Sequence, residues 1–133
     1  MGNFLYITGG VRNPKALITL RNDFNTGYLV EVKRSRMRYI RRNHAVCTMK
    51  GRYLILSGGE RSEKKAERFD TLTGNYTELP NLTKGRYLHA SCSVSGSVYV
   101  FAGHVSLFER TGSIEKLDLS STISGDSSFA HRW

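Results

Sequence analysis

"YLILSGGERSEKKAERFDTLTG", residues 53–74, runs four apolar residues into Ser57 and a glycine pair, then into charge, then into Phe69-Asp70 and a Thr-Gly turn. A phosphate-cradling loop at Gly58-Gly59 would need further glycines, or a Gly-Lys-Ser/Thr close behind, between a strand and a helix whose N-terminal N–H groups face the anion. Here Glu60 follows, the next glycine is Gly74, and the charged stretch has no helical periodicity. The pair therefore reads as the exit of a short strand, where the backbone needs a positive φ or a close approach to its neighbour.

The same punctuation recurs on either side. "FLYITGG" (4–10), "YLILSGG" (53–59) and "VYVFAGH" (98–104) are separated by 49 and 45 residues. Ahead of the second and third lie "RRNHAVCTMKGR" (41–52) and "RYLHASCSVSGS" (86–97), which share Arg-x-x-His-Ala-x-Cys and a Gly turn. Behind the first and second, Asp-x-x-Thr-Gly recurs at Asp23 and Asp70, followed by Tyr28 and Tyr76. Each unit thus carries four short strand signals. A small sheet of this kind cannot bury both of its faces alone, so neighbouring units must stack, and a period near 45 residues with four strands is that of a β-propeller blade. Val98 to Phe101 reads as a strand buried on both faces, and Asn75 to Leu79 alternates as an outer strand should.

The chain resembles kelch repeats. The family pattern is Arg-x-x-His ahead of a first strand, an apolar second strand ending in Gly-Gly, a third ending in aromatic-Asp, a Thr-Gly turn and a fourth opened by Trp. Residues 86–89, 53–59, 69–70, 73–74 and 76 match it in turn, with Tyr76 in place of Trp. The third unit departs at His104, which takes the place of the second glycine, and at Leu117, which takes that of the aromatic. The resemblance implies an all-β fold of four-stranded antiparallel blades in an incomplete ring. We divide it into a partial first blade (1–32), a basic inter-blade connection (33–43), a complete blade (44–80), a partial third blade (81–119) and a Ser-rich tail or loop (120–133). It implies shaping roles for Gly9, Gly10, Gly58, Gly59 and Gly103, hydrogen-bonded histidines at His44 and His89, a structural Asp70 at the end of the third strand, and inter-blade packing by Tyr28, Phe69 and Tyr76. Fewer than three blades cannot close a propeller, so the missing ones are expected from a parent chain or another subunit.

The chemistry-bearing residues are few. His44-x-x-Cys47 and His89-x-x-Cys92 could suggest zinc, but residues i and i+3 on a strand point to opposite faces, so no metal site is expected and no cofactor. Cys47 and Cys92 are too few for a disulfide framework. No Gly-x-Ser-x-Gly elbow or carboxylate pair stands out, so the chain is not expected to be an enzyme. The Asn75 and Asn81 glycosylation patterns are read as chance matches, and Tyr6 argues against myristoylation. The apolar runs are too short to span a bilayer, and the chain is expected to be soluble and intracellular, in the cytoplasm or, by its basic cluster, in the nucleus.

The formal net charge is +9, and "KRSRMRYIRR" (33–42) holds six basic residues with no acid between Glu31 and Glu60. Extended, it would put Arg34, Arg36 and Arg38 on one side and Met37 and Tyr39 on the other. Lys33, Arg34, Arg36, Arg38, Tyr39, Arg41 and Arg42 are the candidate contacts to an anionic partner. The expected function is a non-catalytic protein-interaction scaffold; the alternative is a structural subunit that contacts RNA in a ribonucleoprotein particle.

Overall fold

The computed structural model describes residues 3–119 and Trp133, and among them it contains ten strands and no helix. They form three antiparallel sheets in chain order. The first is β1 (Phe4–Thr8), β2 (Ala16–Asn22) and β3 (Leu29–Arg36); the second is β4 (Ala45–Met49), β5 (Tyr53–Ser57), β6 (Ala66–Asp70) and β7 (Tyr76–Leu79); the third is β8 (Ala90–Val94), β9 (Ser97–Phe101) and β10 (Ile114–Asp118). Every sheet is a meander, each strand pairing with the next in sequence, and together they are blade-like and form no closed barrel among the described residues. The Ser-rich segment falls outside the described residues except for Trp133, whose indole N–H donates to the Pro80 carbonyl at 2.6 Å.

The turns follow from residues that tolerate left-handed backbone. Lys50 and Gly51 join β4 to β5 with φ of 50° and 61°, and Ser95 and Gly96 join β8 to β9 with 49° and 82°. Asp70 starts the β6–β7 turn by accepting the Leu72 N–H at 3.0 Å, and Asp23 does the same for Asn25 ahead of β3. Such Asx turns let a carboxylate replace a backbone acceptor.

Two apolar layers glue the sheets together. Leu17 and Met37 pack with Leu54, Leu56 and Phe69 between the first and second sheets, with Tyr6 and Tyr76 at the margin. Phe69 and Tyr76 lie ring to ring with centroids 4.8 Å apart. Met49, Ile55, Ala66 and Leu79 meet Val98, Leu117 and Leu119 between the second and third, with Trp133 against them. β5 is buried without a break from Leu54 to Ser57, because it runs through the interior of the middle sheet, which has an apolar layer on each face.

Four sequence expectations are corrected by this arrangement. First, Lys33, Arg34 and Arg36 are not in a connection: β3 continues to Arg36, pairing Arg36 with Ala16, and the connection begins at Met37. Second, Phe101 is 37% exposed, so the outer face of β9 is open at that end of the strand. Third, Tyr28 is 74% exposed rather than packed between sheets, because no described residue covers that side of the first sheet.

Fourth, His104 is not the residue that replaces a glycine. The β4–β5 hairpin has three turn residues, Lys50 to Arg52, and the β8–β9 hairpin only two, so the repeat offset falls from 45 to 44 between them. The pair Gly58-Gly59 (φ 58° and 100°) therefore corresponds to Ala102-Gly103 (61° and 95°), as it does to Gly9-Gly10 (63° and 111°). Their first N–H groups make the same bond: Gly9 to the Ala16 carbonyl, Gly58 to Lys65 and Ala102 to Ser113, at 2.8, 2.8 and 3.2 Å.

Candidate functional site

The segments that lead into β4 and β8 build the same device twice. Arg41 and Arg86 are each 0% exposed. The Arg41 guanidinium donates to the Gly58 carbonyl at 2.6 Å, to the Lys65 carbonyl at 3.0 Å and to Glu67 at 3.2 Å. Arg86 donates to Ala102 at 3.0 Å, Ser113 at 2.9 Å and Glu115 at 2.6 Å. Each arginine thus ties together the open ends of the second and third strands of its own sheet. The planar guanidinium, with five donors in a fixed fork, can serve two carbonyls and a carboxylate at once.

The same segments clasp the preceding sheet. The Arg41 carbonyl accepts from the Gly10 N–H at 3.1 Å, and the Arg86 carbonyl from Gly59 at 3.0 Å. The His44 Nε2 shares a hydrogen bond with Thr8 Oγ1 at 2.8 Å, and His89 Nε2 with Ser57 Oγ at 3.0 Å. A methyl group on Gly9 or Gly58 would press into that arginine carbonyl and lie 2.8 or 2.7 Å from the histidine Cε1, so the close approach itself requires glycine. Burial, with the neighbouring arginine charge, pulls both histidines from the ordinary 6.5 to about 4, so each is neutral at pH 7. Burial also drives the Glu67 carboxyl upward, against the pull of Arg41. Glu115 ends below the usual range despite its burial, because the Lys84 and Thr83 N–H groups and Arg86 hold its charge.

This geometry corrects the reading of Arg41 as a partner contact: it is an internal brace with no surface to offer. The other candidates stay outside. Arg34, Arg36 and Arg38 are exposed, with Met37 buried beneath them and Tyr39 half-buried. Most of them carry a local counter-charge: Arg34 with Glu31 at 2.8 Å, Arg38 with Glu78 at 4.0 Å and Arg42 with Glu60 at 2.8 Å. Tyr39 donates to Glu78 at 2.6 Å, which holds that carboxyl below its usual range. The basic run is thus continuous in sequence but divided in space among a strand, a brace and a few ion pairs.

Arg38 and Arg42 share one end of the sheets with the loops that leave β5 and β9. An open groove of roughly 630 Å3 lies between those loops and the connection from β7 to β8, lined by Arg61, Lys64, Lys65 and Lys84 with Glu63 and Val105. Beside it Leu107 and Phe108 are 80% and 99% exposed. Sequence reasoning missed this cluster, because its members come from three separate loops. It also missed Thr8, Ser57, Glu67 and Glu115, although a signal was present: a hydroxyl just before each glycine pair, and the matching "AERFD" and "IEKLD" at β6 and β10.

Among the described residues, no three His, Cys, Asp or Glu side chains converge as metal ligands, and no helix is long and apolar enough to cross a membrane. Cys47 and Cys92 are free thiols, and burial raises Cys47 to about 11, which leaves it protonated and a poor nucleophile at pH 7. No protein-family model matches the chain, and no curated protein matches it.

Proposed function

We propose that the chain is a segment of a kelch-type β-propeller that serves as a non-catalytic protein-interaction scaffold. The observation that carries this reading is the repeated seam, in which Arg41 with His44 and Arg86 with His89 make matching bonds within their own sheets and across to the sheets before them. A device that fixes each sheet against the last is what a stack of blades needs, and it leaves the loops at the sheet ends free to carry recognition.

The partner that fits is an acidic protein surface. Arg34 and Arg38 hold exposed ion pairs of the kind worth at most about 1 kcal/mol, and Arg42 a half-buried one, so an incoming carboxylate can replace the internal partners of Arg34 and Arg38 at little cost. The exposed Leu107 and Phe108 supply an apolar anchor of the type that protein interfaces bury. The nucleic-acid reading has less support, because Tyr39, the one aromatic side chain of the basic run, is tied to Glu78 and flanked by Arg41 and Lys65 rather than open to stack on a base.

The test is affinity isolation of the chain from its native source, with nuclease present, beside the double variant Arg34→Glu, Arg38→Glu. The expected result is a protein partner that survives nuclease and is lost from the variant, whose far-UV spectrum stays unchanged. A partner that disappears with nuclease, or one retained by the variant, overturns the reading.

A further inference from the structure

Each internal seam needs two features on the sheet that receives and two on the sheet that arrives. The receiving sheet offers a hydroxyl and then a glycine, Thr8-Gly9 or Ser57-Gly58. The arriving sheet brings an Arg-x-x-His whose arginine is held by a carboxylate on its third strand, Glu67 or Glu115. The register locates the same positions on the two outer faces. On the third sheet the receiving positions are Phe101 and Ala102, since Phe101 pairs with Ile114 as Ser57 pairs with Ala66. On the first sheet the carboxylate position is Ile18, since Ile7 pairs with Ile18 as Leu56 pairs with Glu67 and Val100 with Glu115.

Both outer faces have therefore lost the latch, each on the side that would use it. Ala102 sits at φ 61° and carries the methyl group that the arginine carbonyl excludes at Gly58. Phe101 has no hydroxyl for a histidine. An arginine brought to Ile18 would be buried without a carboxylate, which costs several kcal/mol. Apolar surface stands in place of the polar clasp: Leu5 and Ile7 are 47% and 45% exposed where their counterparts Leu54 and Leu56 are 2% and 0%, and Ile114 is 68% exposed beside Phe101.

From this matched loss we infer that the two outer faces are each other's partner in a second copy of the chain: the third sheet of one copy seats on the first sheet of the other. A two-fold arrangement makes both contacts at once. The three described sheets of each copy give six around the axis, within the four to eight of a closed propeller. The apolar replacements on one face then meet the apolar replacements on the other, and neither needs the Arg-x-x-His that the internal seams use. The inference rests on the propeller reading for its geometry and is independent of the basic face.

Sedimentation equilibrium of the full chain tests it. The expected mass is about 30 kDa, twice the 15.0 kDa chain. Ile7→Asp and Phe101→Asp, both at exposed positions, are each expected to give monomer with an unchanged sheet spectrum. Mixed in equal amounts they should regain a dimer, because one of the two contacts then joins two unaltered faces. If either variant loses its sheet spectrum, Leu5→Asp and Ile114→Asp replace them. A monomeric parent chain overturns the inference, as does a species larger than a dimer. So does a dimer broken by Phe101→Asp but not by Ile7→Asp, which would pair like with like. A dimer that captures no acidic partner keeps this inference and removes the scaffold reading; a monomer that captures one does the reverse.

Discussion

The connection into β4, residues 37–44, and the connection into β8, residues 82–89, occupy equivalent places with different surfaces. Met37 and Leu82 are both buried plugs, Arg41 and Arg86 both braces, and His44 and His89 both clasps; even Asn43 and Leu88 share a left-handed backbone, at φ 54° and 52°. Between these fixed points the first connection carries Arg38, Tyr39 and Arg42, and the second carries Thr83, Lys84 and Tyr87. What the two share is what the seam uses. What differs is what lies beside the loops, so the positive character of residues 33–42 mixes two causes that a count of charges cannot separate. Arg41 belongs to the repeat and would be there with any partner, whereas Arg38 and Arg42 belong to this connection alone.

That comparison is broken most severely at the brace. Arg41→Ala leaves Glu67 buried without its partner and two carbonyls without a donor, and is expected to cost about 3–5 kcal/mol. Chemical denaturation would read it, with Arg38→Ala as the control that costs no more than about 0.5 kcal/mol because its ion pair is exposed. Equal effects of the two would mean that the buried and exposed arginines are not distinct in kind.

Next in size is the glycine that the arriving carbonyl touches. Gly58→Ala forces a side chain into left-handed backbone, about 1–2 kcal/mol, and adds the clash with the Arg86 carbonyl. We expect a loss of at least about 2 kcal/mol in the denaturation midpoint analysis. At the equivalent position, Ala102→Gly relieves the backbone while adding chain entropy to the unfolded state, and the net change is expected to stay within about 1 kcal/mol.

The smallest effect sharpens the comparison of the two clasps. Thr8→Ala and Ser57→Ala each remove one hydrogen bond to a neutral histidine, at a cost of about 1 kcal/mol. Similar losses in the two variants are the expected thermal-melt result, since the bonds measure 2.8 and 3.0 Å. A loss confined to one of them would show that the seams are alike in geometry but not in strength.

Strands such as β1 and β5 were legible because each is a local pattern, five residues closed by a glycine pair, whereas the eight-residue β3 runs into the basic cluster with no such stop. The seam was only half legible. Arg-x-x-His stood out as a repeat, but its partners lie 17 residues on within the sheet, at Gly58, and 36 residues back across the seam, at Thr8, and no local pattern couples such distant positions. The third unit was aligned one residue out at its glycine pair for a related reason. A hairpin shortened by one residue keeps its apolar run and its turn glycine, so the slip shows only when strand pairing fixes which residues stand opposite each other.

The sequence by itself determined that this chain is all-β, that its units repeat, and that Gly58-Gly59 ends a strand rather than holding a phosphate. The tertiary structure alone decided which arginine turns inward, which apolar strand is covered on both faces, and that Ala102 stands where the two internal seams require glycine. The physical reason is one of range. Strand and turn preferences act between near neighbours, whereas burial and close backbone approach exist only after separate sheets have come together.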